Sequence, residues 1–292
     1  MQQFGPRRYG MFSTEFVLLL QDLKHAIKRQ GSFSMAGYRI CGLLVTAPNG
    51  MHIRKIGRVL GLTTSVISRE VTGLVRRGLL SEKPDPADRR AVLVSATPAG
   101  HKALARTDRA VETCVEDAWS CLSYEQRKLT VWGSLLAASE HRSARSKEGE
   151  INLYAAYVEA LCLSAGAYRK AVRTCGLTLD EYRALDAAER IGPGARAKEI
   201  GIEALLTSSQ VAVALSALQQ GGLVRQRGSE KDRRLRLYSA TGAGSALLEE
   251  LDPKLEHAAK FGVVPISRYD IEDYGKIAET LVASLRERFT YV

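Results

Sequence analysis

The feature that most constrains this chain is a stretch that occurs twice. Ile56 to Gly100 reads IGRVLGLTTSVISREVTGLVRRGLLSEKPDPADRRAVLVSATPAG, and Ile200 to Gly244 reads IGIEALLTSSQVAVALSALQQGGLVRQRGSEKDRRLRLYSATGAG. The two align without a gap at an offset of 144 residues. Gly57, Leu62, Thr63 and Ser65 fall on Gly201, Leu206, Thr207 and Ser209; Asp88-Arg89-Arg90 falls on Asp232-Arg233-Arg234. Ser95-Ala96-Thr97 falls on Ser239-Ala240-Thr241, and upstream Tyr38-Arg39 falls on Tyr182-Arg183. Solenoid repeats recur every ~20–50 residues, so this period signals a duplicated domain. A chain of 292 residues suits two of them, with expected boundaries at 1–145 and 146–292.

The duplication is unequal in charge. Residues 1–145 carry 22 Lys/Arg against 12 Asp/Glu, whereas residues 146–292 carry 20 of each. The formal charge of +10 therefore resides in the first half, which attracts phosphate or another anionic surface. The apolar share of 45% lets each half bury a core. No apolar run has the length of a membrane span, so no membrane is expected among the partners. The N-terminus lacks an apolar signal region. Five cysteines without a CxxC pair fit a reduced, cytoplasmic protein better than a disulfide scaffold.

Read in order, each half gives four helices, a hairpin and two helices. Residues 1–12 read as a loose arm, and Ser13 as the cap of a helix carrying Phe16, Leu19, Leu20, Leu23 and Ile27. Ser34 opens a second helix that stops at Ala47-Pro48-Asn49-Gly50. A short helix over Ile53 to Leu60 ends at Gly61. Thr63 is then the expected N-cap of a helix whose buried stripe is Ile67, Val71 and Leu74. Two short strands, Leu79-Leu80 and Ala91 to Val94, flank a charged turn over Pro84 to Arg90. Thr97-Pro98 starts a helix through Leu104, Val111, Val115 and Trp119. Ser123 starts the next, with Leu129, Trp132, Leu135 and Leu136. His141 to Glu150 form a polar linker. The second half repeats the order: a helix over Leu153 to Val172, starts at Thr178 and Thr207, a hairpin from Arg225 to Leu237, and a last helix from Ser267.

A short helix, a tight turn, a capped helix and a basic hairpin make a winged helix-turn-helix, expected at about 52–96 and about 196–240. The second helix of such a pair suits a DNA major groove, where base edges carry a distinct donor and acceptor code. In the first copy it offers Thr64, Ser65, Ser68, Arg69, Thr72 and Arg76 opposite the buried stripe, with Arg77 beside them. Arg54, Lys55 and Arg58 on the preceding helix suit phosphates, and Arg89 and Arg90 sit on the wing tip. Asp88 is read as the acid that positions those arginines, and Asp232 as its counterpart.

In these motifs the chain resembles the MarR family of bacterial transcription regulators. The resemblance lies in Leu62-Thr63-Thr64-Ser65-Val66-Ile67-Ser68-Arg69, in Leu74-Val75-Arg76-Arg77-Gly78-Leu79, in Asp85-x-x-Asp88-Arg89-Arg90 and in Ala96-Thr97-Pro98-Ala99-Gly100, and it recurs in the second half. It implies a mainly helical fold with small hairpin wings, two winged lobes and a shared helical core of terminal helices, burying Phe16, Leu19, Leu153, Tyr157 and Leu281. It also implies a double-stranded operator, a repressor's role and a small-molecule effector of unknown identity. Family members work as homodimers, so this chain looks like a dimer fused into one polypeptide: a monomer with dimer-like internal symmetry.

The second copy departs from the pattern. Ser209, Ala212, Val213, Ser216 and Gln220 stand where the first has Ser65, Ser68, Arg69, Thr72 and Arg76, and no Lys or Arg lies between Thr207 and Gly222. Its expected contacts are Ser208, Ser209 and the wing residues Arg227, Lys231, Arg233 and Arg234. Asymmetric reading follows, with half-sites about one helical turn apart if both helices dock. Two alternatives stay open: a protein-docking or architectural winged helix, and a redox-sensing regulator using Cys162 or Cys175. Cys114 and Cys121, seven apart, are expected on one helical face. Tyr38-Arg39 and Tyr182-Arg183 read as packing and ion-pair residues. No catalytic motif, metal-ligand spacing or cofactor signature appears, so an enzyme is not expected.

Overall fold

A computed structural model describes residues 9–88, 91–141, 152–228, 236–262, 271–289 and 291. Leu19–Leu163 form one compact unit, and Met1–Leu18 together with Ser164–Val292 form the other. This division by contacts does not follow the boundaries expected at 1–145 and 146–292 and does not test the duplication. Helix α1 (Tyr9–Arg29) and helix α7 (Leu153–Arg173) each run unbroken through the division.

Within the Leu19–Leu163 unit, α2 (Met35–Val45) starts at Ser34, whose hydroxyl accepts from Gly37 N at 2.9 Å. Helices α3 (Ile53–Leu60) and α4 (Thr64–Arg76) meet at Gly61, which ends α3 in the left-handed region at φ 62°. Strands β2 (Leu80–Pro84) and β3 (Val92–Ala96) form the hairpin, and β1 (Met51–His52) pairs on the other side of β3, giving the antiparallel order β1-β3-β2. The register sets Leu80 opposite Ala96 and Met51 opposite Val94. Helices α5 (Pro98–Trp119) and α6 (Tyr124–His141) follow. Ile40, Leu43, Leu44, Ile56, Leu60, Ile67, Val71, Leu74, Leu80 and Val94 make the core, each large aliphatic side chain stabilising by about 1.5–3 kcal/mol.

The other unit holds α8 (Leu179–Ile191), β4 (Ala195–Arg196), α9 (Ala197–Ala204), α10 (Ser208–Gln220), β5 (Val224–Gly228), β6 (Arg236–Ala240), α11 (Gly242–Gly262) and α12 (Ile271–Arg288). Its sheet is ordered β4-β6-β5, antiparallel throughout. Tyr182, Leu185, Ile200, Val211, Leu215, Leu218 and Val224 fill the core.

The recurrent Thr-x-x-Gly after each hairpin has a geometric cause. Thr97 Oγ1 accepts from Gly100 N at 3.0 Å and donates to Gly78 O at 2.7 Å, tying the start of α5 to the start of β2. Thr241 repeats both bonds with Gly244 N at 3.1 Å and Gly222 O at 2.8 Å. A Cβ at Gly100 would run into Leu79 O, and one at Gly244 into Leu223 O.

Several expectations change. Helix α1 already runs from Tyr9, so Ser13 lies inside it rather than at its cap, and part of the expected arm is helical. The third strands β1 and β4 have two residues each and carry no alternation to detect. The hairpin strands are longer than expected, and the last helix is described only from Ile271, leaving Ser267 outside the described residues. So does the linker from 142 on. Trp132 and Leu136, expected to pack, are exposed at 51% and 37%, because α6 buries Thr130 and Ser134 instead. Leu19, Tyr157 and Leu281 are buried as core and Leu153 is half-buried; the Phe16 side chain is outside the described set. Among the described residues no single helix is long and apolar enough to cross a membrane.

Candidate nucleic-acid interface

The stripe Ile67, Val71 and Leu74 turns α4 against α2 and α3, and this sets which residues face out. Thr64, Ser65, Arg69, Thr72 and Arg76 are exposed and Ser68 is half-buried. Arg54, Lys55 and Arg58 are exposed on α3. Gly57 lets the helices approach, since a Cβ there would stand 2.9 Å from Ile67 Cδ1. The result is one face of hydroxyls and guanidinium groups, which are donors to base-edge acceptors and to phosphate oxygens.

Two details differ from expectation. Thr63 makes no side-chain cap bond; its hydroxyl pairs with Ser65 Oγ at 3.1 Å, and Val66 at the third helical position has no group to return a bond. Arg77 is spent structurally, donating from Nη2 to Gly31 O at 2.7 Å.

Asp85, the first residue of the Asp-x-x-Asp-Arg-Arg motif, holds the wing turn. Asp85 Oδ1 accepts from Ala87 N at 2.9 Å, and Asp85 Oδ2 lies 2.9 Å from His52 Nε2 on β1. Asp88 contributes its backbone, donating to Asp85 O at 3.2 Å and accepting from Ala91 N at 2.8 Å. Arg89 and Arg90 lie outside the described residues, as do Lys231, Asp232, Arg233 and Arg234; the assignments of Asp88 and Asp232 to hold those arginines lie there too.

Behind this face sits a buried polar cluster. Arg39 Nε donates to Glu159 Oε2 at 2.7 Å, its Nη2 bonds Glu159 Oε1, and the same nitrogen donates to Leu60 O, the last carbonyl of α3, at 2.7 Å. Both side chains are buried, at 8% and 4% exposure. Burial is the largest single influence and works to lower the guanidinium pKa, but the Glu159 bond and the charges of Cys162 and Glu159 together turn the net direction upward. Tyr38 OH donates to Asp108 Oδ1 at 2.8 Å. Burial, then Asp108, pushes the phenol well above its ordinary range. Burial also raises Asp108, with the Tyr38 bond opposing. Tyr38 and Arg39 thus pack and pair as read; Glu159, the partner of Arg39 on α7, carried no sequence signal.

In the other unit, α10 exposes Ser208, Ser209, Gln210, Ala212, Val213, Ser216 and Gln220, with Val213 70% exposed. Thr207 caps it in a reciprocal box: Gln210 N donates to Thr207 Oγ1 at 3.4 Å, and Thr207 N donates to Gln210 Oε1 at 3.0 Å. Gln210 Nε2 also donates to Asp180 Oδ2 at 3.2 Å. Arg183 donates to Ala204 O at 2.5 Å and Leu205 O at 3.2 Å, but its Nε is buried without an acceptor. Burial draws this guanidinium down to about 10, against the opposing pull of Asp180. Arg225, Arg227 and Arg236 are exposed on the hairpin strands.

None of the five cysteines is joined in a disulfide. Burial pushes the Cys41 thiol up to about 12, which removes it as a nucleophile. Cys114 lies within α5, but Cys121 falls beyond the end of that helix at Trp119, so the two do not share a helical face. Cys175 is half-buried beside α11, where Lys254 Nζ donates to its Sγ at 3.2 Å. Among the described residues no group of three or more His, Cys, Asp or Glu side chains is placed to hold a metal ion.

Residues 46–100 match a family model described as a winged helix DNA-binding domain. No curated protein matches the chain. Among solved structures, it is similar to Sco3205 of Streptomyces coelicolor, a MarR family transcriptional regulator in complex with DNA, at 21% identity over 46% of this chain and 84% of that one, TM-score 0.40. It is similar to CouR of Rhodococcus jostii RHA1 bound to p-coumaroyl-CoA, at 23% identity over 44% and 87%, TM-score 0.37. It is similar also to the PcaV regulator of Streptomyces coelicolor with its natural ligand, at 26% identity over 38% and 79%, TM-score 0.35. The chain is mainly helical with small antiparallel sheets and carries a winged-helix DNA-binding domain.

Proposed function

We propose that this chain, with a winged-helix DNA-binding domain as its premise, is a cytoplasmic transcription regulator built as an intramolecular pseudo-dimer. Residues 1–145 and 146–292 are two copies of one winged lobe, and the terminal helices of both form a shared core. The chain works as a monomer on a double-stranded operator with unequal half-sites, as a repressor whose affinity a small-molecule effector changes.

The observation that carries the reading is the exposed face of α4. Arg69 and Arg76 stand with Thr64, Ser65 and Thr72 opposite a fully buried stripe, and Arg54 and Lys55 flank them on α3. Such a face has hydrogen-bond donors for base edges and cations for phosphates. The repetition of helix order and strand order supports the duplicated lobe.

The test is competition binding at fixed salt. The chain should prefer duplexes selected from a random pool over the pool itself by a factor of 10³ or more. Arg69→Ala should weaken binding on the order of 10- to 100-fold, and Val213→Ala far less. Absence of any preference for a selected duplex would overturn the reading.

A thiol-based response is the second reading, favoured by Lys254 Nζ donating to Cys175 Sγ. It predicts that peroxide changes DNA affinity of the unaltered chain and leaves that of Cys175→Ser unchanged.

A further inference from the structure

We propose that the two recognition helices read chemically different bases: α4 a guanine through Arg69, and α10 thymine methyl groups through Ala212 and Val213. This rests on the reading of the chain as a two-lobed duplex binder.

The N-terminal residues of a recognition helix approach the base edges. On α4 those are Ser65, Ser68 and Arg69; on α10 the matching positions are Ser209, Ala212 and Val213. In the major groove guanine offers paired N7 and O6 acceptors to a guanidinium, whereas thymine alone offers a methyl group to an apolar side chain. Serine serves either strand chemistry. Val213 is 70% exposed, Ala212 beside it is exposed, and the buried stripe Val211, Leu215 and Leu218 lies on the other side of α10.

A single exposed valine on a helix is ordinary on any surface. Here it is one of a set. Helix α10 carries no Lys or Arg, yet Arg225, Arg227 and Arg236 stand exposed on the hairpin of the same unit. Cations on the wing can hold phosphates, leaving the helix free to present an uncharged face to the groove. The helix start is also fixed, by the Thr207–Gln210 box and the Gln210–Asp180 bond, as an apolar contact of defined geometry needs.

The experiment uses the whole chain and a duplex selected by it, with footprinting of Arg69→Ala to mark the half-site that α4 protects. Thymines in the other half are replaced by uracils, which removes only the methyl groups. Guanines in the α4 half are replaced by 7-deazaguanine, which removes only the N7 acceptor. Uracil should weaken binding about fourfold per methyl contact, and Val213→Ala should reduce that sensitivity, with Val213→Ser reducing it further. Deazaguanine should weaken binding about tenfold, and Arg69→Ala should abolish that. Val213→Arg should move the preference in the α10 half toward guanine. Position 213 is exposed, so all three variants there should keep the native circular dichroism. If the chain protects both halves of a selected duplex but uracil and Val213→Ala change nothing, this inference fails while the functional reading stands; if only one half is protected, the pseudo-dimer reading fails with it. If no duplex is selected at all, the functional reading itself has failed.

Discussion

Arg39 and Glu159 form a buried ion pair whose second task is to hold the helix-turn-helix. The guanidinium that meets Glu159 Oε2 at 2.7 Å also binds Leu60 O at 2.7 Å, where α3 ends and the turn into α4 begins. One side chain therefore ties α7 to the turn that sets the angle of the recognition helix.

Removing one partner of a buried pair leaves an uncompensated charge, which costs about 3–5 kcal/mol. Glu159→Ala should lower stability by that amount, read from the midpoint of urea unfolding. A loss below about 1 kcal/mol, the worth of an exposed pair, would contradict the burial of this one.

The two threonines at the starts of α4 and α10 should respond differently. Thr207 accepts a cap bond, so Thr207→Ala should cost about 1 kcal/mol. Thr63 makes none, so Thr63→Ala should cost a few tenths of that. Paired thermal melts decide it, and equal losses would count against the cap difference.

Asp108 gives a pH signature. Its pKa is raised in the folded state by burial, so the protonated form is favoured there. That contribution to stability is fully present below the ordinary carboxylate pKa of about 3.9 and is lost as pH rises through the folded value. Asp108→Asn keeps an acceptor for Tyr38 OH and has no proton to lose. Its stability relative to the unaltered chain should therefore increase from pH 4 to pH 7, measured by urea unfolding at each pH. A constant difference would show that Asp108 does not titrate in this way.

Lys55 tests the phosphate role of α3. It is exposed and suited to a phosphate contact, so Lys55→Ala should reduce the slope of log K against log salt by about 0.9. Loss of affinity should be similar for every duplex tried. A variant with an unchanged slope would place Lys55 away from the DNA backbone.

Much of this was legible because it rests on local chemistry. The stripe Ile67, Val71 and Leu74, the turn at Gly61 and the Thr97-Pro98 start each follow from side-chain spacing or backbone preference, and each is where the sequence put it. The exposed donors of α4 followed from the same stripe. What escaped depends on distant residues. Glu159 meets Arg39 from 120 positions away, and nothing near it distinguishes it from a surface glutamate. Asp85 bonds Ala87 N within the turn and His52 on β1, and the second of these partners lies 33 positions away, beyond the reach of local spacing. Leu205 shows shape persisting without its usual residue: it takes φ 52° where Gly61 takes 62° in the matching turn, and burial holds it there.

The glycine against Leu79 O has a mechanical corollary. Because Gly100 seats the first turn of α5 directly on the chain entering β2, and Thr97 bolts the same junction, no slack separates helix from hairpin. The hairpin is a lever arm on α5: a tilt of that long helix would carry the strands with it.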